Sequence, residues 1–188
     1  MMRKLASVTF AIPACAALMP AHAAPQRSTY AVTGRVSSSC ALGTNIEPLI
    51  VSTTVGPNGK LDTSLNNKSW TISNVMCSGP SSIRVSAKAL RRNPANASVP
   101  NGQSQTANFT ATASGWSLTP ASITTGETLP IGTGATYASP AQTQNSAKAG
   151  NITVTVNNFT SVVGSNGNGS KLVDGPYSAT ITVSLSPN

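Results

Sequence analysis

Residues 175–186 read Gly175-Pro176-Tyr177-Ser178-Ala179-Thr180-Ile181-Thr182-Val183-Ser184-Leu185-Ser186, and apolar and hydroxyl side chains alternate along this stretch. One side of the two-residue period carries Tyr177, Ala179, Ile181, Val183 and Leu185, and the other carries only Ser and Thr. Such alternation is typical of a β-strand with one buried face and one face in water. Burying the large apolar side chains would contribute roughly 6–12 kcal/mol before opposing terms. A strand this apolar needs partners, so the preceding chain is expected to supply a sheet.

The first 23 residues have the organisation of a secretory signal peptide. Residues 3–4 are basic, residues 5–18 are mostly apolar, and residues 21–23 form an A-x-A cleavage site. The apolar run is too short for a membrane span, so none is expected after cleavage. The alternative is a lipoprotein signal in which Cys15 carries the lipid. Either way the chain is predicted to be exported.

Cleavage after Ala23 changes the inventory of charged and metal-binding residues. It leaves 165 residues with ten Lys and Arg against four Asp and Glu, a formal net charge of +6, and it removes the only histidine. Two cysteines remain, Cys40 and Cys77, and an even pair in an exported chain indicates a disulfide. The alternatives are two free thiols or a zinc site, for which the chain offers no further Cys or His ligand. The disulfide would stabilise the fold by roughly 3–4 kcal/mol.

Other runs with a two-residue period precede the C-terminal one, and turn residues separate them. They are Tyr30–Val36, Trp70–Cys77, Ile83–Ala89, Ala107–Ala113 and Ile152–Val156, with Leu129 and Ile131 as a further short strand. Seven or eight short strands, without a convincing long amphipathic helix, favour an all-β fold of the sandwich type. The length after cleavage fits one domain.

The residue inventory argues against an enzyme. Without histidine, no Ser-His-Asp triad, Cys-His pair or histidine metal site exists, and no cofactor or metal is expected. A glycosidase needs only two carboxylates. The chain has four of them, and scattered placement in surface turns accounts for them equally well: Glu47, Asp62, Glu127 and Asp174.

The basic residues are densest at Arg84, Lys88, Arg91 and Arg92. Such a cluster is able to bind nucleic acid or an anionic surface polymer. No aromatic residues are interleaved with it and the chain is predicted to be exported, so nucleic acid is not expected as a partner. A mildly basic, solvated surface is the default interpretation.

Three stretches together resemble the pilin subunits of bacterial chaperone–usher systems, including the spore coat U-like and Csu-type branch. They are Tyr30–Val36 with Cys40 after it, Trp70–Cys77 followed by the Ile83–Ala89 run, and Gly175–Leu185. The resemblance spans most of the chain after the signal peptide and rests on pattern and order.

The resemblance implies an immunoglobulin-like, pilin-type β-sandwich that lacks its last strand, so that its core is exposed as a groove. A periplasmic chaperone fills the groove first, and the N-terminal extension of a neighbouring subunit then replaces it. After the signal peptide at residues 1–23, the resemblance implies that 24–39 are the N-terminal extension that acts as donor or first strand, and that 40–188 are the β-sandwich domain. The donor residues would be Tyr30, Val32, Gly34 and Val36, and the acceptor strand would be 177–185.

Two functions therefore remain open. The first is a structural or adhesive fimbrial subunit that assembles by donor-strand exchange. The second is a self-complete sandwich that binds carbohydrate or another surface ligand, in which residues 30–36 pair within their own domain. Trp116 or Tyr137 would then line the binding face, although core packing is the preferred interpretation for Trp70 and Trp116.

Overall fold

The computed structural model describes residues 37–42, 59, 61, 65–96, 98–100, 102–162 and 171–188. These residues belong to one compact unit, which spans Val36–Asn188. They form β-strands and no α-helix, which confirms the all-β prediction. The strands are β1 (Cys40–Ala41), β2 (Lys68–Cys77), β3 (Ser81–Arg92), β4 (Gln103–Ser104), β5 (Thr106–Ser114), β6 (Ala121–Thr124), β7 (Thr136–Ala138), β8 (Gln142–Gln144), β9 (Lys148–Ser161), β10 (Lys171–Leu172) and β11 (Tyr177–Pro187).

Nine strands form one sheet that turns over on itself in a sandwich-like arrangement. The main path runs β1-β2-β9-β5-β3-β11, with β6 beside β5 and with β7 and β8 beside β3. The turn lies between β3 and β5, which pair only through Leu90↔Ala107 and Arg91↔Thr106. Beyond this corner the two strands diverge, yet their apolar side chains belong to the same core. A separate two-stranded parallel ribbon joins β4 and β10.

The core consists of inward-facing residues of the four long strands β2, β3, β5 and β9, together with Trp116 and Ala121. Buried positions alternate with less buried ones along β3 from Ser81 to Leu90 and along β5 from Ala107 to Ser114, as the sequence predicts. Its members are Ile72, Val75, Cys77, Ile83, Val85, Ala87, Phe109, Ala111, Ala113, Trp116, Ala121, Ile152, Val154 and Val156. Leu129 and Ile131 contradict the predicted short strand, because they lie in a turn with exposed side chains.

The disulfide between Cys40 and Cys77 is present and ties β1 to the end of β2. The two Cα atoms are 4.1 Å apart, and the register pairs Cys40 with Cys77 and Ala41 with Met76. The predicted disulfide is therefore confirmed. The bond closes a loop of 37 residues in sequence.

Candidate functional site

Among the described residues, the C-terminal strand β11 has one pairing partner, β3. Its register with β3 runs from Tyr177↔Arg92 to Pro187↔Ser81. Within the described residues, no strand pairs with its other edge. We call this unpaired edge, with the core-facing side chains of Ile181, Val183 and Leu185, the open edge. A long edge with free N–H and C=O groups is a template for another strand, and charged residues usually protect such an edge. β11 carries no charged side chain.

Burial along the open edge differs from burial on the strand beside it. Val183 pairs with Val85 and Leu185 pairs with Ile83, so these side chains occupy matching core-facing positions. The β3 members are 0% exposed, whereas Val183 and Leu185 are only half-buried against the same core. The core layer is therefore complete over β3 and incomplete over β11.

The alternation of half-buried and exposed side chains is interrupted near the beginning of β11. Between Ser178 and Thr180 the register shifts, and two residues of β3, Ala89 and Leu90, lie opposite Ala179. Ala179 is exposed as a result of this bulge, so the inward row of the strand begins at Ile181. Of the predicted acceptor residues, Ile181, Val183 and Leu185 share one face, while Ala179 does not join them.

Tyr177 anchors the beginning of β11. Its hydroxyl donates to the carbonyl of Val173 at 2.7 Å and approaches the carbonyl of Ser104 at 3.3 Å. Burial raises the pKa of Tyr177 to about 12, against an opposing effect of the nearby Arg92 charge. The hydroxyl is therefore a permanent donor at physiological pH, and it fixes the turn that leads into the strand. A tyrosine that bonds to backbone a few residues upstream is also a feature of immunoglobulin-like sandwiches.

The residues just before the disulfide lie beside the residues that follow β2. Ser39 and Ser78 exchange hydrogen bonds, with Ser78 N to Ser39 O at 2.9 Å and Ser39 N to Ser78 Oγ at 3.0 Å. Ser38 lies beside Gly79, where an added Cβ would come within 2.7 Å of its Oγ. Residues 38–39 therefore run antiparallel to residues 78–79 and continue the pairing of β1 with β2. The predicted donor residues Tyr30, Val32, Gly34 and Val36 lie outside the described residues.

Glu127 is a structural residue that the sequence analysis misplaced among surface carboxylates. Its side chain is 5% exposed, and its two oxygens accept hydrogen bonds from the backbone N–H groups of Thr133, Gly134 and Ala135 and from the Thr133 hydroxyl. Burial alone would raise the pKa of Glu127, but these hydrogen bonds outweigh it and hold the pKa below its ordinary value. All of its acceptor capacity serves the 133–135 loop. The sequence signal for this role is an isolated acidic residue shortly before the glycine-rich stretch 132–134. The backbone N–H groups of that stretch need a hydrogen-bond acceptor.

The two aromatic residues that the binding-module alternative invokes have different surroundings. Trp116 is 0% exposed, and its Nε1 donates to the Ser81 hydroxyl at 3.2 Å, so it belongs to the core. Tyr137 is half-buried on β7, and its ring lies against the backbone of Gly126. Burial raises the pKa of Tyr137, and the negative charge of Glu127 adds to the rise.

Comparison of the chain with protein-family models, with curated proteins and with solved structures gave no match. In the part of the chain that the structure describes, no helix has the length and apolar character needed to cross a membrane. The same residues contain no group of three His, Cys, Asp or Glu side chains able to hold a metal ion. The open edge and the surface around it are therefore the features of the described residues that bear on function.

Proposed function

We propose that the chain is an exported structural or adhesive surface subunit that polymerises by donor-strand exchange. The observation that carries this proposal is the open edge, where Ile181, Val183 and Leu185 remain half-buried beside fully buried partners on β3. An added strand would satisfy the free backbone groups of β11, and its alternate side chains would complete the core. In this proposal Tyr30, Val32, Gly34 and Val36 supply that strand to a neighbouring subunit.

The described part of the chain begins just before β1. Ser38 and Ser39 lie beside Gly79 and Ser78, which directly follow β2. Residues 30–36 lie upstream of this point, and the proposal assigns them to the open edge of a second copy. The partners in this proposal are a periplasmic chaperone and neighbouring pilin-like subunits, and the location is the periplasm and then the cell surface.

The experiment produces the chain from residue 24 in an oxidising periplasm without partner genes and examines it for SDS-resistant ladders. Removal of residues 24–36 should abolish the ladders. Val32→Asp should abolish them as well, because it places a charge on the donor face, which is meant to be buried. Thr33→Asp is the matched control, because it adds the same charge on the opposite face of the same segment.

A contrary result is equally specific. If the full chain is a stable monomer that unfolds cooperatively, and if removing residues 24–36 unfolds it, those residues are a strand of their own domain. The self-complete binding module would then be the better account, and polymerisation would be rejected.

A further inference from the structure

The surface at the Tyr177 end of β11 holds a second opening, distinct from the open edge. It is a cleft of about 350 Å³ lined by Lys88, Arg91 and Arg92 of β3, by the loop at Thr133–Gly134 and by the bulged segment Ser178–Thr180. We call it the basic cleft. Its volume lies at the small end of the range for ligand sites, which start at about 300 Å³.

Within the described residues, no ion pair joins the cations of the basic cleft to a carboxylate, and Glu127 behind one wall bonds to Thr133 and Gly134. Arg92 donates from Nε to the carbonyl of Asp174 at 2.7 Å and from one terminal nitrogen to the carbonyl of Pro94 and the amide oxygen of Asn96, all uncharged acceptors. Arg91 donates from Nε to the carbonyl of Ile131 at 3.2 Å. That bond leaves its terminal nitrogens with donors to offer, and Lys88 is exposed. The cleft therefore presents positive charge and free donors together.

Glycines allow both arginine side chains to lie against backbone. A Cβ on Gly134, whose φ is +74°, would come within 2.7 Å of a terminal nitrogen of Arg91. A Cβ on Gly175, whose φ is +139°, would collide with the guanidinium of Arg92 in the same way. Positive φ favours glycine at both positions, so the turns and the arginine positions depend on the same residues. The guanidinium groups are thus held in place before any ligand arrives.

Two buried polar side chains hold the walls of the cleft. Gln105, at 0% exposure, accepts from the backbone N–H of Asn96 at 2.6 Å and donates back to its carbonyl at 3.1 Å, which fixes the loop after Arg92. Glu127 fixes the opposite wall through Thr133 and Gly134. Burying a polar group is costly unless it is fully hydrogen-bonded. The hydrogen bonds of Gln105 and Glu127 therefore fix the positions of both walls, which a solvated surface would not need.

We propose that the basic cleft binds an oxyanion group carried on a sugar, as in an acidic glycan. Lys88 and Arg91 would contact the carboxylate or phosphate, since the planar guanidinium matches either group with two parallel hydrogen bonds. The hydroxyls of the exposed residues Ser178 and Thr180 would accept and donate to sugar hydroxyls. The lining residues in the described chain include no aromatic ring, so the stacking platform that single-stranded nucleic acids need is missing. This site does not depend on donor-strand exchange.

The test titrates fluorescein-labelled trigalacturonate into the chain from residue 24 and follows anisotropy, a readout that works for monomers and polymers alike. Labelled neutral galactose trisaccharide and labelled mannose 6-phosphate are titrated in parallel to separate a carboxylate from a phosphate source. The variants are Lys88→Gln and Arg91→Gln. Arg84→Gln is the matched control, because Arg84 is an exposed cation on the same strand that does not line the cleft.

We expect one of the anionic sugars to bind and the neutral one not to bind. Each cleft variant should weaken binding about tenfold or more, as the loss of a hydrogen bond to a charged group implies. Arg84→Gln should change it less than about threefold, in line with a distant screened charge. The proposal is overturned if neither anionic sugar binds at low salt, if the neutral sugar binds equally well, or if Arg84→Gln is as damaging as Arg91→Gln.

Discussion

The strands β3 and β11 have the same alternating pattern and are paired with each other, yet within the described residues only β3 is paired on both edges. The second edge of β3 is covered by β8 at Ser81–Ile83, by β7 at Ser86–Lys88 and by β5 at Leu90–Arg91. Between β8 and β7, Ser139 exchanges hydrogen bonds with the backbone of Val85. No described strand pairs with the second edge of β11, although β1 lies close to this strand. The difference shows that alternation determines which side chains face the core, whereas the neighbouring strands determine how deeply those side chains are buried.

The largest expected effect comes from truncating the matched valines of the two strands. Val85→Ala should lower the free energy of unfolding by about 2–3 kcal/mol, because it removes two methyl groups from a closed core and leaves a cavity. Val183→Ala, at the paired position on β11, should cost the unassembled chain only about 1 kcal/mol, because its side chain is already half-exposed. Denaturant unfolding of both variants measures the two costs. Equal costs would show that the core over β11 is already covered.

A smaller effect concerns the closed side of β3, where Glu127 holds the loop that precedes β7. Glu127→Gln should lower the free energy of unfolding by about 2 kcal/mol at neutral pH, since an amide accepts fewer of the surrounding N–H groups. The control measures the free energy of unfolding of the wild-type chain and of the Glu127→Gln variant across a series of pH values. The folded-state pKa of Glu127 lies below its ordinary value of 4.5, so its contribution is fully present above that pH. The contribution is lost as the pH falls through the lowered pKa, and the difference between the two chains should shrink there. A difference that stays constant across the acid range would contradict the role of the carboxylate.

The smallest effect concerns the anchor at the beginning of β11. Tyr177→Phe removes the donor to the Val173 carbonyl and should lower the free energy of unfolding by about 1 kcal/mol. Thermal unfolding of the variant checks this value. A matched change at Tyr137, Tyr137→Phe, should cost less, because the hydrogen bond of the Tyr137 hydroxyl is with the backbone of Gly126 near the protein surface, where water can replace it. The reverse order would show that the beginning of β11 is held by other contacts.

The sequence was sufficient for the features that depend on local pattern. The strands around Trp70–Cys77, Ile83–Ala89 and Tyr177–Leu185 were predictable because a two-residue period sorts side chains onto two faces. The disulfide was predictable because only two cysteines follow the predicted signal peptide. The exposure of Ala179 was not predictable, since it arises from a bulge formed by the extra residue in β3. Alternation in one strand carries no information about an irregularity in its partner.

The basic cleft was visible in the sequence only as a run of cations. Its walls depend on Glu127 and Gln105, which reach loops six to nine residues away in sequence, and on glycines that make room for the arginines. A carboxylate or amide looks the same in a sequence whether it is solvated or buried. The alternation of side chains along a strand gives no information about such contacts. The residues that line the cleft could therefore be identified only from the three-dimensional structure.

Amide hydrogen exchange of β11 in the monomeric and the SDS-resistant fractions of the same preparation tests the central claim most directly. We expect the amides of Ile181–Leu185 that point away from β3 to exchange rapidly in the monomer and to slow by about tenfold or more in the assembled form, while the amides of β3 change little. Protection of those β11 amides that is already complete in the monomer would show that the open edge is covered within the chain itself. In that case β11 is not the acceptor of a neighbouring subunit's strand.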